Sequence, residues 1–152
     1  MMQLIKTPYD LRSGYPIVRR TLEDKKKLVR NEGFGPHSCC ATVEYKMRGN
    51  SRYSFGNSQM RLPVLDDIYT NNFIRIHGEM AAVVIAIERA ERYESSKLPA
   101  ITSLYVELHP CMVRCMPALQ NILSYNVNIY YSFDHPDEVE EWKQCAGRLC
   151  NT

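Results

Sequence analysis

No stretch of this 152-residue chain stays apolar for the ~18–20 residues that a helix needs to cross a bilayer, which removes a membrane-spanning helix from the expectation. The opening residues, Met1 to Leu11, carry Lys6 and Asp10 and lack the apolar centre of a signal peptide, so a cytosolic site of action is expected. Internal repeats, low-complexity tracts and a dividing linker are also missing. One domain over residues 1–152 follows, with a helical and loop extension at 1–36 and a catalytic core at 37–147. Net charge is small, +2, too little to demand a polyanionic partner by itself. What is present is ordinary: 45% hydrophobic and 24% charged residues, enough apolar material to exclude wholesale disorder and to bury a core.

The charge is nevertheless unevenly placed. Arg19-Arg20, Lys25-Lys26-Lys27 and Arg30 crowd one short segment, Arg48, Arg52, Arg61 and Arg75 follow, and the acids gather late at Asp134, Asp137, Glu138, Glu140 and Glu141. Such a polarised chain permits a nucleic-acid partner, and it equally describes a solvated helix face. Six cysteines stand at 39, 40, 111, 115, 145 and 150. An even count fits disulfides in a secreted protein, but without a signal peptide metal ligation or plain thiols fit better. Adjacent Cys39 and Cys40 do not readily bond each other, and Cys145 and Cys150 read as free thiols near a helix end and tail.

Along the chain, Thr21–Asn31 reads as a short charged helix capped by Thr21 and followed by Gly33. Residues 41–57 read as a hairpin, with strands Ala41–Met47 and Arg52–Phe55 about a Gly49-Asn50 turn. Gln59–Ile76 is a long connection. His77–Tyr93 is helical and apolar on nearly every side through its middle, so neighbours bury it. Ile101–Leu108 is a strand, Cys111–Ser124 a second helix containing Pro117, Val127–Phe133 a strand, and Pro136–Gly147 a last helix. The expected fold class is α/β. Its mixed sheet of about five strands is flanked by helices in a three-layer α/β/α arrangement, with right-handed crossovers in the second half.

Two points in this layout carry chemistry. His77-Gly78-Glu79 opens the buried helix, and Pro110-Cys111 with Cys115 opens the next. Backbone N–H groups at helix N-termini favour negative charge, which lowers a thiol's pKa and favours the thiolate that binds metal. One imidazole and two thiolates give a tetrahedral zinc ion three ligands and leave one position for water. Water so bound is acidified toward neutral pH, and Glu79, two residues from a ligand, is placed to take its proton.

These residues match H-x-E…P-C-x-x-C, and the chain thereby resembles the zinc-dependent cytidine deaminase superfamily. Leu104-Tyr105-Val106-Glu107-Leu108-His109-Pro110-Cys111 further resembles the strand that enters the cysteine motif of tRNA adenosine deaminases, and the likeness spans about residues 40–147. One departure is plain: three residues separate Cys111 and Cys115 instead of two. On a helix, positions i and i+4 still share a face, so chelation survives the change. The resemblance implies one Zn²⁺ per chain held by His77, Cys111 and Cys115. It also implies Glu79 as the group that shuttles protons while activated water attacks C4 of cytosine or C6 of adenine.

A histidine ligand, and a helix after the last long strand, resemble the branches acting on nucleic acid. The chain lacks the Ser-Trp-Ser that precedes Pro-Cys in vertebrate polynucleotide cytosine deaminases, and it diverges from tRNA adenosine deaminases after Cys115. Its short, Cys-bearing form is similar to bacterial deaminase toxin domains, which implies delivery into a target cell and an immunity protein as partner. The expected substrate is cytosine in single-stranded DNA or RNA. An RNA adenosine or free nucleotide deaminase, and a non-catalytic zinc-binding module, stay open. Tyr130–Pro136 stands where such relatives carry a loop that contacts the base beside the target, with Phe133 and His135 expected to be exposed; a strand alternation would instead turn its aromatics inward. Asn57, Tyr69, Asn71, Asn72 and Phe73 are candidates to line the mouth, Asn57 for the ribose unless it serves only the turn, and His109 is a candidate pocket wall. His37 has no assigned partner.

Overall fold

Residues 3–6, expected within a helical and loop extension, are built into the sheet. In the computed structural model, which describes residues 3–47, 49–58, 82–83, 85–87, 89, 100–109 and 127–151, Gln3–Lys6 forms strand β1. It is followed by α1 (Pro16–Glu32), β2 (Cys40–Met47), β3 (Asn50–Asn57), β4 (Ala100–Leu108), β5 (Asn128–Phe133) and α2 (Val139–Cys150). Residues 82–83, 85–87 and 89 are helical as well. The chain is therefore α/β, a five-stranded mixed sheet flanked by helices, in the order β1-β5-β4-β2-β3.

The hairpin forms where the turn chemistry placed it. Gly49 takes φ 79°, a left-handed backbone that costs a residue without Cβ nothing, and β2 and β3 pair antiparallel from Met47↔Asn50 to Cys40↔Asn57. β2 is also antiparallel to β4, while β4 with β5 and β5 with β1 run parallel. Only β2 opposes the rest. The carboxyl ends of β1, β3, β4 and β5 therefore gather on one rim of the sheet, together with the start of β2.

Both faces of the sheet are covered. Thr42 receives α1 through a hydroxyl pair with Thr21 at 2.7 Å, and Thr42 lies opposite Phe55. Ser54, the neighbour of Phe55, points to the opposite face and donates to the Ala82 carbonyl, so the helical residues 82–83, 85–87 and 89 lie across the sheet from α1. Consecutive residues of the central strands are accordingly buried, Ala41-Thr42-Val43 and Leu104-Tyr105-Val106-Glu107 among them.

α1 begins five residues earlier than expected. Pro16 occupies the first turn, where its fixed φ suits the helix and its missing N–H removes no bond, and Gly33 ends the helix at φ 71°. Thr21 is thus internal, not a cap: its hydroxyl bonds the Ile17 carbonyl at 2.7 Å. The buried stripe runs Ile17, Val18, Thr21, Leu22, Lys25 and Leu28, so Lys25 leaves the solvated face proposed for it. α2 starts and ends three residues later than expected because a turn occupies 135–138, in which the Glu138 N–H reaches the Asp134 carbonyl. Among the described residues, no helix is long and apolar enough to cross a membrane.

Candidate functional site

The rim where strand ends gather carries a buried polar cluster centred on Glu107. A glutamate in the apolar strand ITSLYVEL alternates onto the α1 side, where leaving it unpaired would be costly. Lys25 Nζ meets its Oε1 at 2.8 Å, with both side chains at 0% exposure. The Cys40 N–H donates to the same oxygen at 2.7 Å, while the Tyr9 hydroxyl and Trp142 Nε1 donate to Oε2 at 2.5 and 3.0 Å. Lys25 completes its own set on the Ser38 carbonyl at 2.7 Å and lies 5.4 Å from the Trp142 ring centroid.

The electrostatics follow from this packing. Burial opposes the Lys25 charge, but the Glu107 carboxylate outweighs it and raises the amine's pKa. Burial first, then the carboxylate, pushes the Tyr9 phenol and the Cys40 thiol upward, so both stay protonated at neutral pH. With four donors on its two oxygens, Glu107 is a holding group, not a free base. It ties the end of β4 to α1, α2, β2 and the segment containing Tyr9.

The rim also holds several residues singled out from the sequence. Asn57, the last residue of β3, is fully buried, and its side-chain amide donates to Ser38 Oγ at 2.8 Å and Cys40 Sγ at 3.0 Å. His109 follows β4; its N–H donates to the Phe133 carbonyl at 2.8 Å, and its half-buried ring stands edge-on to Tyr131 at 4.8 Å. Phe133, expected to be exposed, is buried. Its ring packs 5.2 Å from that of Tyr9 and in one cluster with Trp142 and Ala146, because β5 turns it toward α2. His135 is exposed as expected. Tyr130 packs against Tyr15 at 4.7 Å.

His37 gains a contact the sequence did not suggest, its Nε2 lying 3.1 Å from the Lys143 carbonyl. His77, Glu79, Cys111, Cys115, Tyr69, Asn71, Asn72 and Phe73 lie outside the described residues. Among the described residues, no group of three or more His, Cys, Asp or Glu is arranged to hold a metal, and Cys39, Cys40, Cys145 and Cys150 are thiols outside any disulfide.

No protein-family model and no curated protein matches this chain. The reading of the site therefore rests on its own residues. Sequence reasoning missed Lys25, Tyr9, Glu107 and Trp142 as a unit. The signal was available in part: a lysine inside an apolar helical stripe and a glutamate inside an apolar strand each demand a buried partner, though nothing local pairs them.

Proposed function

We propose that this chain is a zinc-dependent deaminase that hydrolyses cytosine to uracil in single-stranded nucleic acid. The observation that carries the reading is where β4 ends. Its carboxyl end lies on the rim shared with β1, β3 and β5, and the sequence runs from there through His109 directly into Pro110-Cys111. In open α/β sheets, ligands bind outside the carboxyl ends of strands. The helical residues Ala82 and Arg89, which follow His77-Gly78-Glu79 in the chain, bond to Ser54 and Tyr53 of β3 in the same sheet, and this supports bringing both motif halves to one sheet.

The donor set fits zinc by its chemistry, since an imidazole and two thiolates suit that ion and leave a coordination position for a small ligand. His77, Cys111 and Cys115 would hold it. When bound, the ion supplies the Lewis acidity that makes water nucleophilic near neutral pH. Glu79 accepts a proton from the attacking water and delivers it to the leaving ammonia, with no net change in its own charge. The four donors on Glu107 keep the exit of β4 in one place, immediately before His109.

A panel of single-stranded DNA, RNA, cytidine, deoxycytidylate and an adenosine stem-loop, scored for uracil and inosine, tests this, with Glu79→Ala as the blank. Uracil in a polynucleotide, abolished by Glu79→Ala, is the expected result. Product confined to free nucleotides overturns the substrate class, and inosine overturns the base. A zinc-loaded protein that acts on nothing in the panel leaves only a binding module.

A further inference from the structure

We propose that a basic groove along the outer flank of α1 binds the phosphate backbone of single-stranded nucleic acid. Two adjoining hollows make it, of about 330 and 400 Å³, and Leu11 lines both. In the first, Lys26, Lys27 and Arg30 share a stripe of α1 with Glu23, at the i, i+3, i+4 and i+7 spacing that aligns side chains on one face. In the second, Arg12 and Arg148 stand with Asp10 around an apolar floor of Tyr9, Leu11 and Leu149.

Cations therefore outnumber acids along the groove, and none of these five makes an ion-pair contact with a described carboxylate, although the charge of Lys27 is felt by Asp24; the four ion pairs among the described residues use Lys6, Lys25 and Lys143. Asp10 accepts the Arg12 backbone N–H at 2.9 Å. Excess positive charge held this close on one face repels itself, and a polyanion relieves that.

The shape selects among polyanions. An apolar floor between cationic walls suits a chain that alternates flat bases with phosphates, which is how grooves for single strands are built. A bilayer calls for protruding apolar side chains, and the exposed large hydrophobics among the described residues, Leu4 and Tyr15, do not line the groove. The groove is also tied to the rim: Lys26 and Lys27 follow Lys25, whose amine holds Glu107 two residues before His109. As an account of how the substrate is held, the inference rests on the proposed activity, but the binding itself does not.

The test uses the full chain with Glu79→Ala and a labelled twelve-nucleotide oligothymidylate, which contains no cytosine, read by fluorescence anisotropy over a salt series. Lys26→Ala/Lys27→Ala/Arg30→Ala should weaken binding at least tenfold at low salt. It should also flatten the log–log salt slope by about 2, because each phosphate a cation neutralises on a single strand adds about 0.7 to that slope. Arg52→Ala, an exposed cation on β3, should leave both unchanged. Lys27→Arg/Arg30→Lys, which keeps the charge, should retain affinity and guards against an unfolded triple variant. Equal binding by the triple variant and its parent overturns the proposal. So does capture of polyglutamate or of phosphatidylserine vesicles with no binding of the oligonucleotide. Because the probe carries no target base, failure of the deaminase assay leaves this result standing, and the reverse also holds.

Discussion

Replacing Lys25 by methionine keeps an unbranched side chain, one atom shorter, and deletes its charge, leaving the Glu107 carboxylate buried with three donors instead of four. The Ser38 carbonyl loses its lysine donor at the same time. Breaking a buried pair by removing one partner typically costs about 3–5 kcal/mol, because the remaining charge stays desolvated without its counter-charge. Against a total stability of roughly 5–15 kcal/mol for a domain, the variant should be severely weakened yet still folded in the cold. Lys25→Met/Glu107→Gln removes both charges. The glutamine oxygen can still accept from Cys40, Tyr9 or Trp142, and its amide can donate toward Ser38. The double variant should therefore regain about 2 kcal/mol or more of what the single variant lost. Urea unfolding followed by the fluorescence of Trp142, the lone tryptophan and itself a donor to Glu107, reads both values. A single variant within about 1 kcal/mol of the parent, or a double variant no better than the single, refutes the reasoning.

Cys40 is fully buried, and burial together with Glu107 pushes its thiol upward, so iodoacetamide at pH 8 should modify it roughly a hundredfold more slowly than in urea; equal rates by mass spectrometry would sink this. Glu138 is held below the usual carboxylate range by hydrogen bonds from Lys6 and from the Asp134 N–H. A lowered folded pKa stabilises the protein above the unfolded value of 4.5 and is lost as pH falls through the folded one, so Glu138→Gln should show a shallower decline of Tm between pH 5 and pH 3. An unchanged decline contradicts that assignment. Purified protein should carry about one zinc per chain by elemental analysis, and Cys111→Ala should lose it; retention of metal in that variant would remove Cys111 from the ligand set.

The strands and helices that could be read from the sequence were those with strong periodicity or turn chemistry. ATVEYKM, Gly49-Asn50 and ITSLYVEL each appear within a few residues of their expected bounds. β1 was not legible because Gln3–Lys6 is mostly exposed and only pairing with β5 makes it a strand. The start of α1 was misread because Thr21 offered a cap, whereas Pro16 marks the true first turn. Phe133 was placed outward by analogy of position, while its burial is decided by Trp142 and Ala146 on a later helix. Of the candidate site, the proposed ligands and proton carrier are read from the motif and lie outside the described residues, while the Glu107 network was not legible. Lys25 and Glu107 are separated by 82 positions, and no local pattern joins such a pair.

The placement of β1 at the sheet edge orders events on the ribosome. Among the described residues its one neighbour in the sheet is β5, and Lys6 reaches Asp134 and Glu138 at separations of 128 and 132 residues. β1 thus waits for a strand more than 120 residues later in the chain before it can dock. Parallel pairing across so long a loop is slow to close. Until β1 docks, the β5 margin presents unpaired backbone, a template for another copy, so maturation of this protein competes with association between chains.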